Sequence, residues 1–310
     1  MVRPRRFIPN PETAGDNAFQ TLPDAASDLV AQSAVAQSAL AQSAYGEVTH
    51  AARVLTDAGV TVHLFDDHDP QRPDSVFPNN WFSTHAGGHV ALFPMYAPNR
   101  RTERRADIVE MLKKDYRVQQ VVDYSGMEQD GLFLEGTGAM VIDHEFRLVY
   151  VARSRRADPV LLERFCTTFG YEPMVMDAFD HSGAPIYHTN VMMTIATKFA
   201  MIGLSLIPDQ TRRDEIAARI SARGRREIID LTPSQIASFA GNAIELQADA
   251  RRILALSTRA LAALRDDQRE VIERSCEIIA LPVPTIELAG GSVRCMIAGV
   301  HLDSRTRSSQ

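Results

Sequence analysis

"VFPNNWF", residues 76–82, opens as an apolar, aromatic strand and sets two asparagines side by side in its middle. Buried amides each need a donor side and an acceptor side satisfied, so the pair marks a strand that does more than pack. The same design recurs in "LFLEGTGAM" (132–140), "IYHTNVMM" (186–193), "FAGNAIEL" (239–246) and "SVRCMIAG" (292–299). One polar residue from each, namely Asn80, Glu135, His188, Asn242 and Cys295, gives successive steps of 55, 53, 54 and 53 residues. A constant step of this length, just beyond the ~20 to 50 residues of common repeats, is the mark of a repeated supersecondary unit.

The stretches after the first four segments repeat as well. Each segment leads into a second apolar strand ("HVALFPM", "RLVYVA", "KFAMIGL", "RRILALS"), then an amphipathic helix over roughly 101–115, 159–169, 210–223 and 258–275. A third strand closes each copy ("RVQQVVDY", "EPMVMD", "REIIDL", "EIIAL"). The fifth copy is expected to be split: "SVRCMIAGVHL" supplies its first two strands, residues 31–58 its helix and "VTVHLF" its last strand. A unit divided between the two ends of a chain closes a ring. The expectation is one α/β domain over 1–310, a propeller of five ββαβ units around a pseudo-fivefold axis, with helices outside and the first strands inside.

Equivalent positions of five such units face one axis, so Asn80, Glu135, His188, Asn242 and Cys295 are expected to line one cavity. A thiol, an imidazole and a carboxylate meeting there are the parts of an activated nucleophile, its acid/base partner and an orienting group. Taken singly, a cysteine in "VRCMIA" is more often a small buried hydrophobe. The register sets Cys295 apart, and the "AGGS" before it lets backbone approach a ligand closely. Cys166 and Cys276 are expected on helices, facing the core.

Composition narrows the classes. With 310 residues, 45% hydrophobic and a net charge of −6, the chain can bury a large core and offers nucleic acid no basic footprint. No apolar run approaches the ~18 residues of a membrane helix, and "MVRPRRFIPN" lacks the apolar region of a signal peptide, so a cytoplasmic location is expected. Three cysteines without CxxC spacing argue against a disulfide framework and a zinc site. The threefold pentapeptide "AQSAVAQSALAQSAY" (31–45) favours helix, but a five-residue step cannot align Val35, Leu40 and Tyr45 in one stripe, so an exposed helix is expected.

In order along the chain, "PDSVFPNNW", "APNRRTE", "LEGTGAMV", "ARSRRAD", "YHTN" and "GGSVRCM" resemble the motifs of the guanidine-modifying superfamily, the penteins. The opening "RPRRFIPNPETAGDNAFQ" is most similar to the citrulline-utilisation hydrolase type. The resemblance spans the whole chain and implies a propeller of five ββαβ units. It also implies Cys295 as covalent nucleophile, His188 as general acid/base and Glu135 as its carboxylate partner. Arg100 and Arg156 correspond to arginines that grip a substrate α-carboxylate, and Asp74 to a group near the α-amino end. Such thiol chemistry needs no metal or organic cofactor. The partner is a small amino-acid substrate, not nucleic acid or a membrane, and a homo-oligomer is compatible with the sequence.

Three positions depart from the superfamily pattern. Relatives that act on a guanidinium carry a carboxylate at the position of Asn80, deiminases carry Asp at that of Asn190, and the Asp closing the "EGGD" motif is here Gly138. A guanidinium buried without its partners loses roughly 3 to 5 kcal/mol per broken charge pair. The mixed edge of an amide suits a neutral ureido group instead. The expected reaction is therefore hydrolysis of a ureido amino acid, citrulline to ornithine, ammonia and carbon dioxide, with Asn79, Asn80 and Asn190 at the ureido end. Backbone N–H groups near "GGSVRC" are the candidate oxyanion donors. The alternatives are a guanidine hydrolase or deiminase for arginine, agmatine or methylated arginine, in which a carboxylate such as Asp74 neutralises the cation, and a non-catalytic binding protein on the same fold.

Overall fold

In the computed structural model, which describes residues 1–21, 34–69, 71–221 and 224–305, the strands fall into five small sheets. Strand β1 (Val2–Pro4) pairs in parallel with β2 (Phe65–Asp67). The other sheets share one design: β3 (Phe82–His85), β4 (His89–Leu92) and β5 (Gln120–Asp123); β6 (Met140–Asp143), β7 (Leu148–Ala152) and β8 (Glu172–Met176); β9 (Met193–Ile195), β10 (Phe199–Ile202) and β11 (Glu227–Asp230); β12 (Ile244–Ala248), β13 (Arg251–Ser257) and β14 (Glu277–Leu281). In each, the first strand runs antiparallel to the second and the third parallel to it. A parallel neighbour requires a crossover, and helices Ala106–Asp115, Pro159–Phe169, Gln210–Ser221 and the pair Thr258–Ala263 and Asp266–Glu273 supply it.

Helix Pro159–Phe169 shows how local sequence sets these elements. Asp158 caps it by accepting from the N–H groups of Val160 and Leu161 at 2.9 and 3.2 Å, Pro159 sits where no intrahelical donor is needed, and Gly170 ends it at φ 68°. Leu161, Leu162, Phe165, Cys166 and Phe169 recur every three or four residues and bury one face.

The fifth unit differs from expectation. Its middle strand is β1 at the N-terminal end, and its helix, Ala34–Asp57, leads to β2. "SVRCMIAGVHL" forms a turn over 293–296 and then an extended segment with no strand ladder. Only the end of "VTVHLF" is strand. The pentapeptide helix is not wholly exposed either: Ala41, Ala44, Val48, Ala51 and Leu55 form a buried stripe, a face composed largely of small residues that the five-residue period conceals. Tyr45 lies under Arg3 and Arg5 at 4.4 and 4.3 Å. Residues 31–33 of the patch lie outside the described residues. Cys166 is buried on its helix, whereas Cys276 is buried just past one.

Side chains join the units in cyclic order. Thr137 Oγ1 donates to Asn79 O at 3.2 Å, Thr189 Oγ1 to Ala139 O at 2.5 Å, and Thr194 Oγ1 to Gly241 O at 2.8 Å. Arg294 N donates to Asn242 Oδ1 at 3.1 Å, and Thr84 Oγ1 closes the circle by donating to Gly299 O at 2.9 Å. Gly136, at φ 40°, lets the short helix Gly136–Ala139 begin against the backbone carbonyls of Asn79 and Asn80, where a Cβ would not fit.

Truncating Phe165, fully buried beside Phe93 and Phe169, removes an aromatic ring from the second unit. Urea unfolding of Phe165→Ala should show a loss of about 3 to 5 kcal/mol; a loss below about 1 kcal/mol would mean that this face does not hold the sheet.

Candidate active site

The five singled-out residues sit in the turns that precede the inner strands, not within the strands. Pro78 has no N–H to give a ladder and starts a tight 3-10 turn, Pro78–Asn80. Glu135 precedes the helix Gly136–Ala139 and His188 the turn Thr189–Val191. Asn242 and Cys295 occupy the matching turns ahead of β12 and the C-terminal segment. All five are buried.

The histidine and the carboxylate are directly bonded, His188 Nε2 to Glu135 Oε2 at 2.8 Å. Burial pushes the His188 imidazole down to about 4, against the pull of Glu135. Burial works against the charge of Glu135, but Arg156, the His188 bond and Arg100 outweigh it and hold its carboxyl below the usual range. At neutral pH the pair is a neutral imidazole oriented by a carboxylate.

Cys295 and His188 line one small cavity with Asp74, Asn80, Arg100 and Arg156. Cys295 Sγ receives Asn190 Nδ2 and Asn242 Nδ2, both at 3.3 Å. The N–H groups of Arg294, Cys295 and Met296, expected as oxyanion donors, are already bonded to Asn242 Oδ1 and the Ser292 carbonyl.

Arg100 and Arg156 stand at the site with their charges taken. Arg100 forks onto Glu103 at 2.9 and 3.0 Å and lies 3.5 Å from Asp74 and 3.6 Å from Glu135. Arg156 binds Asp16 and reaches Glu135 at 3.5 Å. Oriented by its partners, the Asn80 amide accepts from both Arg100 Nη atoms at 3.0 and 3.1 Å and donates to Asn79 Oδ1 at 3.3 Å. Asn80 thus serves Arg100 through its oxygen while it lines the cavity. Among the described residues Asn79 Nδ2, Asn190 Oδ1 and Asp74 Oδ1 are buried without a hydrogen-bond partner. Burial pushes Asp74 up, and Glu103 up to about 7, against the pull of Arg100. With Arg100 shared among three carboxylates, the cluster is short of positive charge.

Gly138 explains its own departure from the motif. A Cβ there would overlap the Asn80 amide and lie 2.8 Å from His188 Cε1, so the place of the usual aspartate is filled from the neighbouring unit. Residue-by-residue reading missed the N-terminal segment. Asn10 Nδ2 donates to Asp74 at 2.8 Å, Asp16 pairs with Arg156, and Asn17 donates to Ala289 O at 3.2 Å. Thr13 and Asn17 of this segment line the catalytic cavity, which measures about 10 Å³. The one signal of it in the sequence is the family look of "NPETAGDNAFQ", which assigns no role to any single residue.

A family profile described as N,N dimethylarginine dimethylhydrolase, eukaryotic, matches residues 3–302. The N-terminal domain of ArgZ, an arginine dihydrolase from the ornithine-ammonia cycle in cyanobacteria, solved as a mutant bound to substrate, is 16% identical. It has a TM-score of 0.66, with 97% of this chain and 98% of that chain covered. Apo ArgZ is 18% identical with a TM-score of 0.64, and there the match covers 81% of this chain but 37% of that one. A dimethylarginine dimethylaminohydrolase adduct is 13% identical with a TM-score of 0.58, covering 83% of this chain and 90% of that chain. Among curated proteins none matches the sequence. Among the described residues no helix is long and apolar enough to cross a membrane.

Moving a catalytic group by about 1 Å costs on the order of 10²-fold in rate. Gly138→Ala, which must displace Asn80 or His188, should lower kcat by about that factor while the fold is kept; unchanged kcat with intact circular dichroism would refute the tight fit. The matched span, nearly the whole chain, places the protein in the N,N-dimethylarginine dimethylhydrolase family, within the guanidine-modifying superfamily of hydrolases that cleave C–N bonds.

Proposed function

We propose that residues 1–310 act as one catalytic domain that hydrolyses the C–N bond of an arginine-class guanidino amino acid, arginine or an N-methylated arginine, through Cys295. One observation carries the choice of a cation. Asp16, Asp74, Glu103 and Glu135 share two arginines, Arg100 and Arg156, and Asp74 keeps a buried oxygen with no donor among the described residues. A guanidinium brings the missing charge and the missing N–H groups. Asn190, whose Nδ2 meets the sulfur and whose Oδ1 has no donor among the described residues, accepts a second N–H of the reacting group through that oxygen.

In this reading the Cys295 thiol gives its proton to the neutral His188 as the sulfur adds to the guanidinium carbon, forming an S–C bond, and the imidazolium so formed delivers that proton to the departing amine as its C–N bond breaks. Water, deprotonated by the same histidine, adds to the thiouronium carbon, and breakage of the S–C bond returns the thiolate and a ureido amino acid. Asn190 and Asn242 hold the sulfur's negative charge as its proton leaves and after release. Removing one donor to a charged group costs about 1.5 to 3 kcal/mol, so Asn242→Ala should lose roughly 10- to 100-fold in kcat/KM.

A second reading rests on the neutral amide of Asn190 at the sulfur: the ureido group of citrulline is the substrate, or is hydrolysed in turn to ornithine, ammonia and carbon dioxide. The two separate by product analysis on arginine, N,N-dimethylarginine and citrulline, with Cys295→Ala as the blank. Turnover of a guanidino substrate, lost in the blank, supports the proposal, and turnover of citrulline alone overturns it.

The pH dependence separates them again. Glu103 takes up a proton as pH falls through about 7, and a cationic substrate must displace it. KM for a guanidino substrate should therefore rise from pH 8 to pH 6, by up to about tenfold per pH unit below 7, while KM for citrulline stays level. Parallel profiles would count against the charge argument.

A further inference from the structure

The inner strands enclose a second cavity on the far side of the nucleophile's turn. It measures about 110 Å³ and is lined, among others, by Thr84, His144, Thr194, Glu245, Arg294 and His301. That is well above the ~10 to 15 Å³ one water needs. Arg294 precedes Cys295, yet it lines this cavity and not the catalytic one. The acceptor of its guanidinium among the described residues is Ile297 O at 3.2 Å, and no carboxylate there pairs with it. Arg294 is half-buried, and the three fully buried arginines among the described residues differ from it: Arg100 and Arg156 are paired with carboxylates at the catalytic site, and Arg226 is held by Asp143.

Among the lining residues Glu245 is the one carboxylate. His144 and His301 stack with ring centroids 3.9 Å apart, and His85 lies 5.9 Å from His144. Glu245 lines the cavity but is committed elsewhere, to Thr197 at 2.6 and 3.0 Å, Arg252 at 3.2 Å and Cys276 at 3.2 Å. Burial pushes Arg294 down to about 10, and burial with His301, His85 and Arg294 pushes His144 down to about 2. A half-buried guanidinium without a carboxylate partner leaves its charge unpaired, and a cavity beside it with imidazole and hydroxyl donors is where an anion pairs with it.

We propose that this cavity binds a small oxoanion, held by the Arg294 fork with His144, His301 and the threonine hydroxyls as further donors. Bicarbonate, phosphate and a short aliphatic carboxylate share the required chemistry: two or more oxygens on one small charged centre. The site is joined to the nucleophile through one amide, because Arg294 N donates to Asn242 Oδ1 at 3.1 Å and Asn242 Nδ2 donates to Cys295 Sγ at 3.3 Å. It does not depend on which substrate the catalytic side takes.

The test is calorimetric and thermal-shift titration of the full chain with sodium bicarbonate, phosphate and acetate, against chloride at matched ionic strength. At least one of the three should bind saturably and raise Tm, and should move the imidazole signals of His144 and His301 toward their protonated positions in NMR spectra. Arg294→Met and His301→Gln should each weaken the apparent affinity at least tenfold, and Arg252→Gln, which pairs with Glu245, should leave it unchanged. The saturating anion identifies the source, inorganic or carboxylate. Saturation by none of the three, or wild-type affinity in His301→Gln, whose side chain is exposed at the cavity mouth, overturns the proposal even if Arg294→Met fails to fold.

Discussion

Backbone carbonyls in the inner turns and in the C-terminal segment beside them need donors from outside their own sheets. The neighbouring unit supplies them: Thr137 serves Asn79, Thr189 serves Ala139, Thr194 serves Gly241 and Thr84 serves Gly299. Each hydroxyl also fixes the rotation of its unit against the next. The joints link each unit to the next around the ring, although not all donate in the same direction, and they bring turns 53 to 55 residues apart in sequence to one axis. The site is a by-product of satisfying those carbonyls.

The ring brings together an electrostatically demanding set of groups. Six ionisable side chains, Asp16, Asp74, Arg100, Glu103, Glu135 and Arg156, meet around the pocket. Burial opposes the charge on Asp74, Arg100, Glu103, Glu135 and Arg156, and mutual pairing restores it unevenly. Glu135, between two arginines and a histidine, stays ionised, whereas Glu103 and Asp74 share an arginine and drift upward. The neutral His188 follows from the same balance, since desolvation outweighs one carboxylate. A neutral base beside a sulfur held by amide donors suits nucleophilic attack at ordinary pH.

Much of this was legible in the residues. The constant step exposed the units and picked out Cys295, His188 and Glu135 together, because a period reports geometry that no single residue carries. The helix 159–169 was readable from its apolar spacing, and its ends are set by Asp158, Pro159 and Gly170. The bond of Asn80 to Arg100 was not readable: its residue type suggested a substrate contact, and the cation it faces is supplied by a separate turn. Asp16 escaped for a similar reason, since its partner lies 140 residues away and an aspartate in a polar loop carries no local mark. The middle strand of the fifth unit is three residues long, too short for alternation to show.

The division of the fifth unit between the two ends of the chain bears on how the protein comes to be active. The segment carrying Cys295 is synthesised after the other four units, and its neighbours in the ring, Thr84 and Asn242, belong to the first and fourth of them. Four units can assemble as they are made, each from contacts local to itself and its predecessor. The joint that turns a stack of units into a ring has to bring chain ends together over almost the whole length, and loop closure of that span is the slow step for such topologies. A nascent or truncated chain can thus be largely folded and still hold Glu135 and His188 in place with no sulfur to serve.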